Sequence, residues 1–156
     1  QGSGFFQHGH TYMGHPVACA AAMAVQTYIE ENDLLANVRI QGEQLAGALT
    51  ARLGNNPFVG DIRGRGLFRG IELVADRLTK APLDSSLKIN AKIKSAAMAE
   101  GLICYPMGGT IDGRRGDHIL LAPPFISDES HIAEIVDKLG RAIDAVLTDD
   151  QIGQVG

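Results

Sequence analysis

Two short extended runs, Phe58 to Arg63 and Leu67 to Val74, stand on either side of Gly64-Arg65-Gly66, and helical periodicity surrounds them. The second run sets Leu67, Ile71 and Leu73 on one face and Phe68, Gly70 and Glu72 on the other. That alternation is the mark of a half-buried strand, so the pair reads as a hairpin. Upstream, Pro16 suits the first position of a helix, and the Ala-rich stretch from Val17 to about Glu31 reads as a helix packed closely on every side. Asn32 or Asp33 is placed to cap a second helix. Val38, Gly42, Leu45, Leu49 and Leu53 recur along it at helical spacing until Gly54 stops it.

Beyond the hairpin the spacing predicts a helix over 86–100, with Ile89, Ile93, Ala96, Ala97 and Met98 as its apolar positions and Gly101 as its stop. Leu102 to Tyr105 reads as a buried strand, Met107 to Gly116 as a glycine-rich loop and His118 to Ala122 as a further strand. Ser127 is expected to cap a last helix whose stripe is Ile132, Ile135, Val136, Leu139, Ile143 and Leu147. Helices mixed with hairpins in this order predict an α+β fold, a small mixed or antiparallel sheet covered by helices.

The chain has 156 residues, 45% of them apolar and 21% charged, enough for one domain with a real core. Its net charge of −4 argues against a nucleic-acid or anionic-membrane surface, and no apolar run approaches the roughly 18 residues of a membrane span. No nucleic-acid or membrane partner is expected. The opening Gln1-Gly2-Ser3-Gly4-Phe5-Phe6 has neither a basic nor an apolar signal region and reads as a start in the middle of a longer protein. Cys19 and Cys104, both in apolar company, read as small buried thiols in a reducing compartment.

Three of the five histidines, His8, His10 and His15, fall in one short segment. The segment itself holds no Cys and the first carboxylate is at Glu30, so no metal site is expected there. Within the segment, Gly9-His10-Thr11 offers a backbone open to close approach, exposed N–H groups and a hydroxyl, which suits a phosphate. An ordinary turn before a helix accounts for the same residues. Arg114 and Arg115, on the glycine-rich loop, can meet a carboxylate bidentately or simply be a solvated pair. Gly64-Arg65-Gly66-Leu67-Phe68-Arg69-Gly70 has the wrong spacing and the wrong setting for a dinucleotide fingerprint. The five lysines, Lys80, Lys88, Lys92, Lys94 and Lys138, all stand in polar surroundings, none in a pocket that would make it a Schiff-base former.

Phe6 to Pro16, followed by Ala18-Cys19-Ala20-Ala21-Ala22, resembles the segment after the Schiff-base lysine in class III (ω-type) aminotransferases. Val59-Gly60-Asp61-Ile62-Arg63-Gly64, Gly70-Ile71-Glu72-Leu73, Gly101-Leu102, Gly116-Asp117-His118 and Ala122-Pro123-Pro124 agree in order, so the likeness runs from about residue 5 to 148. It implies the C-terminal portion of a fold-type I enzyme that uses pyridoxal 5'-phosphate and works as a homodimer or larger homo-oligomer. Residues 1–31 would then end the large cofactor domain, 32–150 would form the C-terminal small domain and 151–156 a tail.

Under the same resemblance Gly9, His10 and Thr11 bind the cofactor phosphate of the neighbouring subunit, and Arg114 receives the substrate carboxylate. Many members carry that Arg at the position of Gly113 here, one residue before Arg114 and two before Arg115. The implied reaction moves an amino group between an amine or amino acid and a keto acid, in the cytoplasm. The Schiff-base lysine, the aspartate for the pyridine nitrogen and the ring-stacking aromatic are expected upstream, so the chain alone is expected to be inactive. Sister activities on the same scaffold, an aminomutase, a decarboxylase or a racemase, fit the same motifs. A non-catalytic α+β interaction or ligand-binding domain is the alternative of another class.

Overall fold

A computed structural model describes residues 2, 4–6 and 8–148, and divides along the chain into two compact units between Leu35 and Ala36. The expected tail 151–156 lies outside the described residues.

The first unit is built on helix α1 (Pro16–Glu31), which has Pro at its first turn as the sequence implied. None of its residues is buried; Val17, Met23, Val25 and Tyr28 are all exposed. The expectation of close packing on every side is therefore not met within this chain: an Ala-rich surface invites close neighbours but does not supply them. Asn32 closes α1 rather than opening the next helix. Its N–H and its side-chain amide both donate to the Tyr28 carbonyl, at 3.2 and 2.9 Å. Asp33 follows in the left-handed region, at φ 46°.

Helix α2 (Leu34–Leu53) runs from the first unit into the second, where Gly42, Leu45, Leu49 and Leu53 are buried and Gly54 closes it with an N–H donated to Thr50 at 2.8 Å. The hairpin follows as β1 (Val59–Arg65) and β2 (Phe68–Leu73), and β3 (Tyr105–Met107) and β4 (Asp117–Leu121) complete an antiparallel sheet in the order β1-β2-β4-β3. An extra residue at Gly60 makes a bulge in β1. Ile71 of β2 stands opposite Ile119 of β4, and with Leu73 and Leu121 these point into one apolar cluster. Leu45, Leu49 and Leu53 of α2, Ile89, Ile93 and Ala97 of α3 (Ile89–Ala99) and Ile132, Leu139 and Ile143 of α4 (Glu129–Val146) fill the rest of it. The second unit is α+β, with α2, α3 and α4 packed through that cluster against a small antiparallel sheet.

Several boundaries differ from the expectation, and three of the differences have a clear physical reason. The helix predicted from Ser86 begins at Ile89, because Ser85–Leu87 form a separate 3-10 turn and Lys88 sits at φ 50°. The strand predicted over 102–105 is displaced to Tyr105–Met107. Leu102 is used instead to finish α3: its N–H donates to Ala97 at 2.8 Å and that of Gly101 to Met98 at 3.0 Å, with Gly101 at φ 75°. That is a Schellman stop, and Gly supplies the left-handed residue it requires. Finally, Asp128 rather than Ser127 caps α4, accepting the His131 N–H at 3.0 Å while His131 reaches back to the Asp128 N–H. Ser127 is buried, and its carbonyl accepts from the Asn37 side chain at 2.9 Å.

The hairpin is tied to α2 by Arg69. This guanidinium is buried and donates to three carbonyls, Gly66 at 2.9 Å, Gly64 at 3.0 Å and Gly42 at 2.7 Å, with the exposed Glu43 carboxylate 3.7 Å away. A charge so enclosed is tolerated because its donors are satisfied.

Candidate functional site

The segment before α1 lies in the first unit. Residues 8–10 have no regular structure, and two tight turns follow: Met13 N–H donates to His10 at 3.0 Å and His15 N–H to Tyr12 at 3.1 Å. The His8 and His10 rings meet edge-on at 4.5 Å. Gly9, His10 and Thr11 are all exposed, and a Cβ added at Gly9 would meet no heavy atom within 4 Å. Among the described residues, neither their N–H groups nor the Thr11 hydroxyl has a partner. Such an arrangement can receive an anion from outside: open backbone donors, a free hydroxyl, and a helix that begins only a few residues later. Among the described residues, no cluster of three or more His, Cys, Asp or Glu could hold a metal ion.

Cys19, on α1, is exposed, so only part of the expectation for the thiols holds. Cys104 is half-buried, and that burial pushes its thiol pKa up.

Arg114 lies in the second unit, on the loop between β3 and β4. The loop forms its own small ladder: Thr110 N–H donates to Gly116 at 3.2 Å, Ile111 N–H to Arg115 at 3.0 Å and Gly113 N–H to Gly109 at 2.9 Å. At the tip, the Asp112 carboxylate accepts the N–H groups of Arg115 at 2.8 Å and Arg114 at 3.0 Å, and the Arg115 guanidinium at 2.7 Å. The Arg115 backbone and side-chain donors, then the Arg114 N–H, hold Asp112 down to about 2. Arg115 is therefore engaged within the loop. Among the described residues, the exposed guanidinium of Arg114 has no ion pair.

Two groups that sequence reasoning did not single out stand at the base of this loop. Asp117 is buried, and burial raises its pKa while the Asn90 backbone N–H at the start of α3 works against that rise. His118 Nδ1 lies 2.6 Å from the Thr110 hydroxyl oxygen. The signal for both was the Gly116-Asp117-His118 triplet, which spacing alone could not convert into contacts.

A groove of about 250 Å³ opens between Leu102, Ile126, Ile135, His131 and Lys138. None of Gly9, His10, Thr11 and Arg114 lines it. Among the described residues, no helix is long and apolar enough to cross a membrane.

Comparison with known proteins adds to this geometry. The family model described as aminotransferase class-III matches residues 2–143. A curated aminotransferase of Gibberella zeae is 46% identical over 143 residues, which cover 91% of this chain and 28% of that protein. A transaminase from the marine bacterium Virgibacillus superposes with a TM-score of 0.81 at 33% identity, covering 98% of this chain and 32% of that one. An omega transaminase from Pseudomonas jessenii in complex with PMP gives a TM-score of 0.79 at 33% identity, over 96% and 31% of the two chains. The chain spans about three tenths of the length of the curated relatives it matches.

Proposed function

The chain belongs to the class-III aminotransferases, and on that premise we propose that it is the C-terminal portion of an enzyme that uses pyridoxal 5'-phosphate to move an amino group between an amine or amino acid and a keto acid. The match of the family model to residues 2–143, nearly the whole chain, carries this reading. In it residues 1–31 end the large cofactor domain and 32–150 form the small one. An Ala-rich helix with no buried residue suits a place inside a larger assembly.

Gly9, His10 and Thr11 fit the cofactor phosphate, because among the described residues their donors are open and unspent. Bound pyridoxal phosphate supplies an electron sink for the substrate carbon. The chain's own residues supply binding and orientation. The Thr11 hydroxyl and the neighbouring N–H groups hold phosphate oxygens of the partner subunit's cofactor, which makes a homodimer or larger homo-oligomer the working form. Arg114 receives the substrate carboxylate, in preference to Arg115, which Asp112 already holds.

The lysine that anchors the cofactor lies elsewhere in the parent protein in this reading, and the isolated chain is inactive. Lys88, Lys92 and Lys94 are exposed, Lys80 meets the Gly60 carbonyl and Lys138 is 2.6 Å from Glu134. The two free thiols, one exposed, suit a reducing cytoplasmic setting.

The test is a cofactor titration of the full-length parent protein. Thr11→Ala should weaken cofactor affinity by about 1–3 kcal/mol, the cost of leaving a charged acceptor short of a donor. Sedimentation should show the oligomer intact. Unchanged affinity in an intact oligomer would return Gly9-His10-Thr11 to the status of an ordinary turn.

A further inference from the structure

The loop that carries Arg114 is fastened to the sheet by a side chain as well as by its backbone. Among the described residues, Thr110 Oγ1 makes the side-chain hydrogen bond from loop to strand, 2.6 Å from His118 Nδ1, and also lies 3.3 Å from the Gly116 carbonyl. A hydroxyl has a single proton to give. Both contacts are satisfied together when Nδ1 of His118 carries a hydrogen and donates to Oγ1, leaving the hydroxyl proton for Gly116. One side of this latch lies within the sheet. His118 sits on the inner strand β4, opposite Glu72 of β2 and Met107 of β3. On the other side stands Thr110, whose N–H also bonds Gly116 and whose neighbour Ile111 pairs with Arg115. Holding Thr110 therefore sets both sides of the tip from which Arg114 extends.

We propose that His118, acting through the Thr110 hydroxyl, is a positioning residue for Arg114 and thereby sets how strongly the enzyme prefers a carboxylate-bearing partner to an uncharged one. This rests on the reading of Arg114 as the carboxylate receptor. The link is specific in geometry. Asn in place of His118 can put a polar atom where Nδ1 stands, whereas Leu cannot. Ser in place of Thr110 keeps the hydroxyl, whereas Val removes it.

The experiment uses the full-length holoenzyme with a keto acid and an aldehyde of the same length as amino acceptors. His118→Leu and Thr110→Val should each raise the ratio of keto-acid KM to aldehyde KM by about three- to tenfold, as loss of one hydrogen bond allows. His118→Asn and Thr110→Ser should restore most of it. Hydrogen exchange of the peptide spanning Gly108 to Gly116, read by mass spectrometry, should speed up in the first two variants and recover in the second two. Arg114→Ala should show the same selective loss, and His118→Leu added to it should add little. If Arg114→Ala affects both acceptors equally, the carboxylate reading beneath the proposal is overturned. If Arg114→Ala is selective while His118→Leu and Thr110→Val leave both the ratio and the exchange unchanged, the latch alone is overturned.

Discussion

Gly42 of α2 and Gly66 of the hairpin turn pack backbone on backbone, so that a Cβ on Gly42 would lie 2.5 Å from the Gly66 carbonyl carbon. The contact lets the Arg69 guanidinium reach carbonyls on both sides of it. Gly42→Ala should push helix and turn apart and destabilise the fold by about 1–3 kcal/mol or more. Arg69→Met should cost about 2–4 kcal/mol, since three carbonyls lose a charged donor. Urea unfolding of each variant checks both figures. If Gly42→Ala matches the wild type, the close approach is not required.

The end of α3 offers a smaller, local test. Gly101 stands at φ 75° at the Schellman stop. Gly101→Ala should cost about 1–2 kcal/mol through its left-handed backbone, since a new methyl would lie no closer than 3.4 Å to Lys138 Nζ. Thermal unfolding should show a lower Tm with the helical circular-dichroism signal retained.

Acid should act on the fold through carboxylates held low in it, Asp112 and Asp128 foremost. Asp112 is held to about 2 by the donors of Arg115 and Arg114, and Asp128 to about 2 by the Ser130 hydroxyl and the His131 N–H. Both lie below the ordinary 3.8, so the unfolded chain binds more protons between those values. Their stabilising contribution is complete above about 4 and is lost as pH falls to about 2. Asp117 runs the other way, because burial raises its pKa: its contribution is present below 3.8 and is lost as pH rises through the raised value. Urea midpoints at stepped pH should fall more shallowly on acidification in Asp128→Asn, which keeps a capping side chain, than in the wild type. Equal slopes would remove Asp128 from the account.

The two thiols should separate in a labelling experiment. In the isolated chain, exposed Cys19 should react with a thiol-specific reagent at neutral pH well before half-buried Cys104, whose raised pKa also lowers its thiolate fraction. Mass mapping of the first labelled peptide decides it; early labelling at Cys104 contradicts the burial described.

Reduction with borohydride after mixing the isolated chain with pyridoxal phosphate should leave no stoichiometric adduct at a single lysine. A saturable adduct at any one of the five would place the anchoring amine within this chain.

Much of the core was legible because period and burial coincide in α2 and α4: Leu45, Leu49 and Leu53, and Ile132, Leu139 and Ile143, all face the cluster. The hairpin was legible for the same reason, with Ile71 and Leu73 inward. The strand expected at Leu102 was misplaced because the apolar Leu102-Ile103-Cys104 looks buried throughout. The helix stop takes Leu102 inward and leaves Ile103 85% exposed. Buried Arg69 could not be foreseen, since the three carbonyls that justify it come from two separate segments. At the candidate site, the sequence singled out Arg114 and Arg115 but could not tell them apart. The difference lies in how the Asp112 side chain folds back on Arg115, a matter of loop geometry.

Both borders of the sheet are closed to growth. On β3 the strand is only Tyr105–Met107, and Pro106 has no N–H to offer an incoming chain. On β1 the bulge at Gly60 breaks the regular row of hydrogen-bonding groups, the Lys80 ammonium occupies the Gly60 carbonyl, and Asp61, Arg63 and Arg65 line the strand with charge. A foreign strand meets a missing donor on one side and a twisted, charged rail on the other. Chains of this kind brought to high concentration should therefore stay free of fibrils seeded by strand addition, and any self-association should leave the β-sheet signal unchanged.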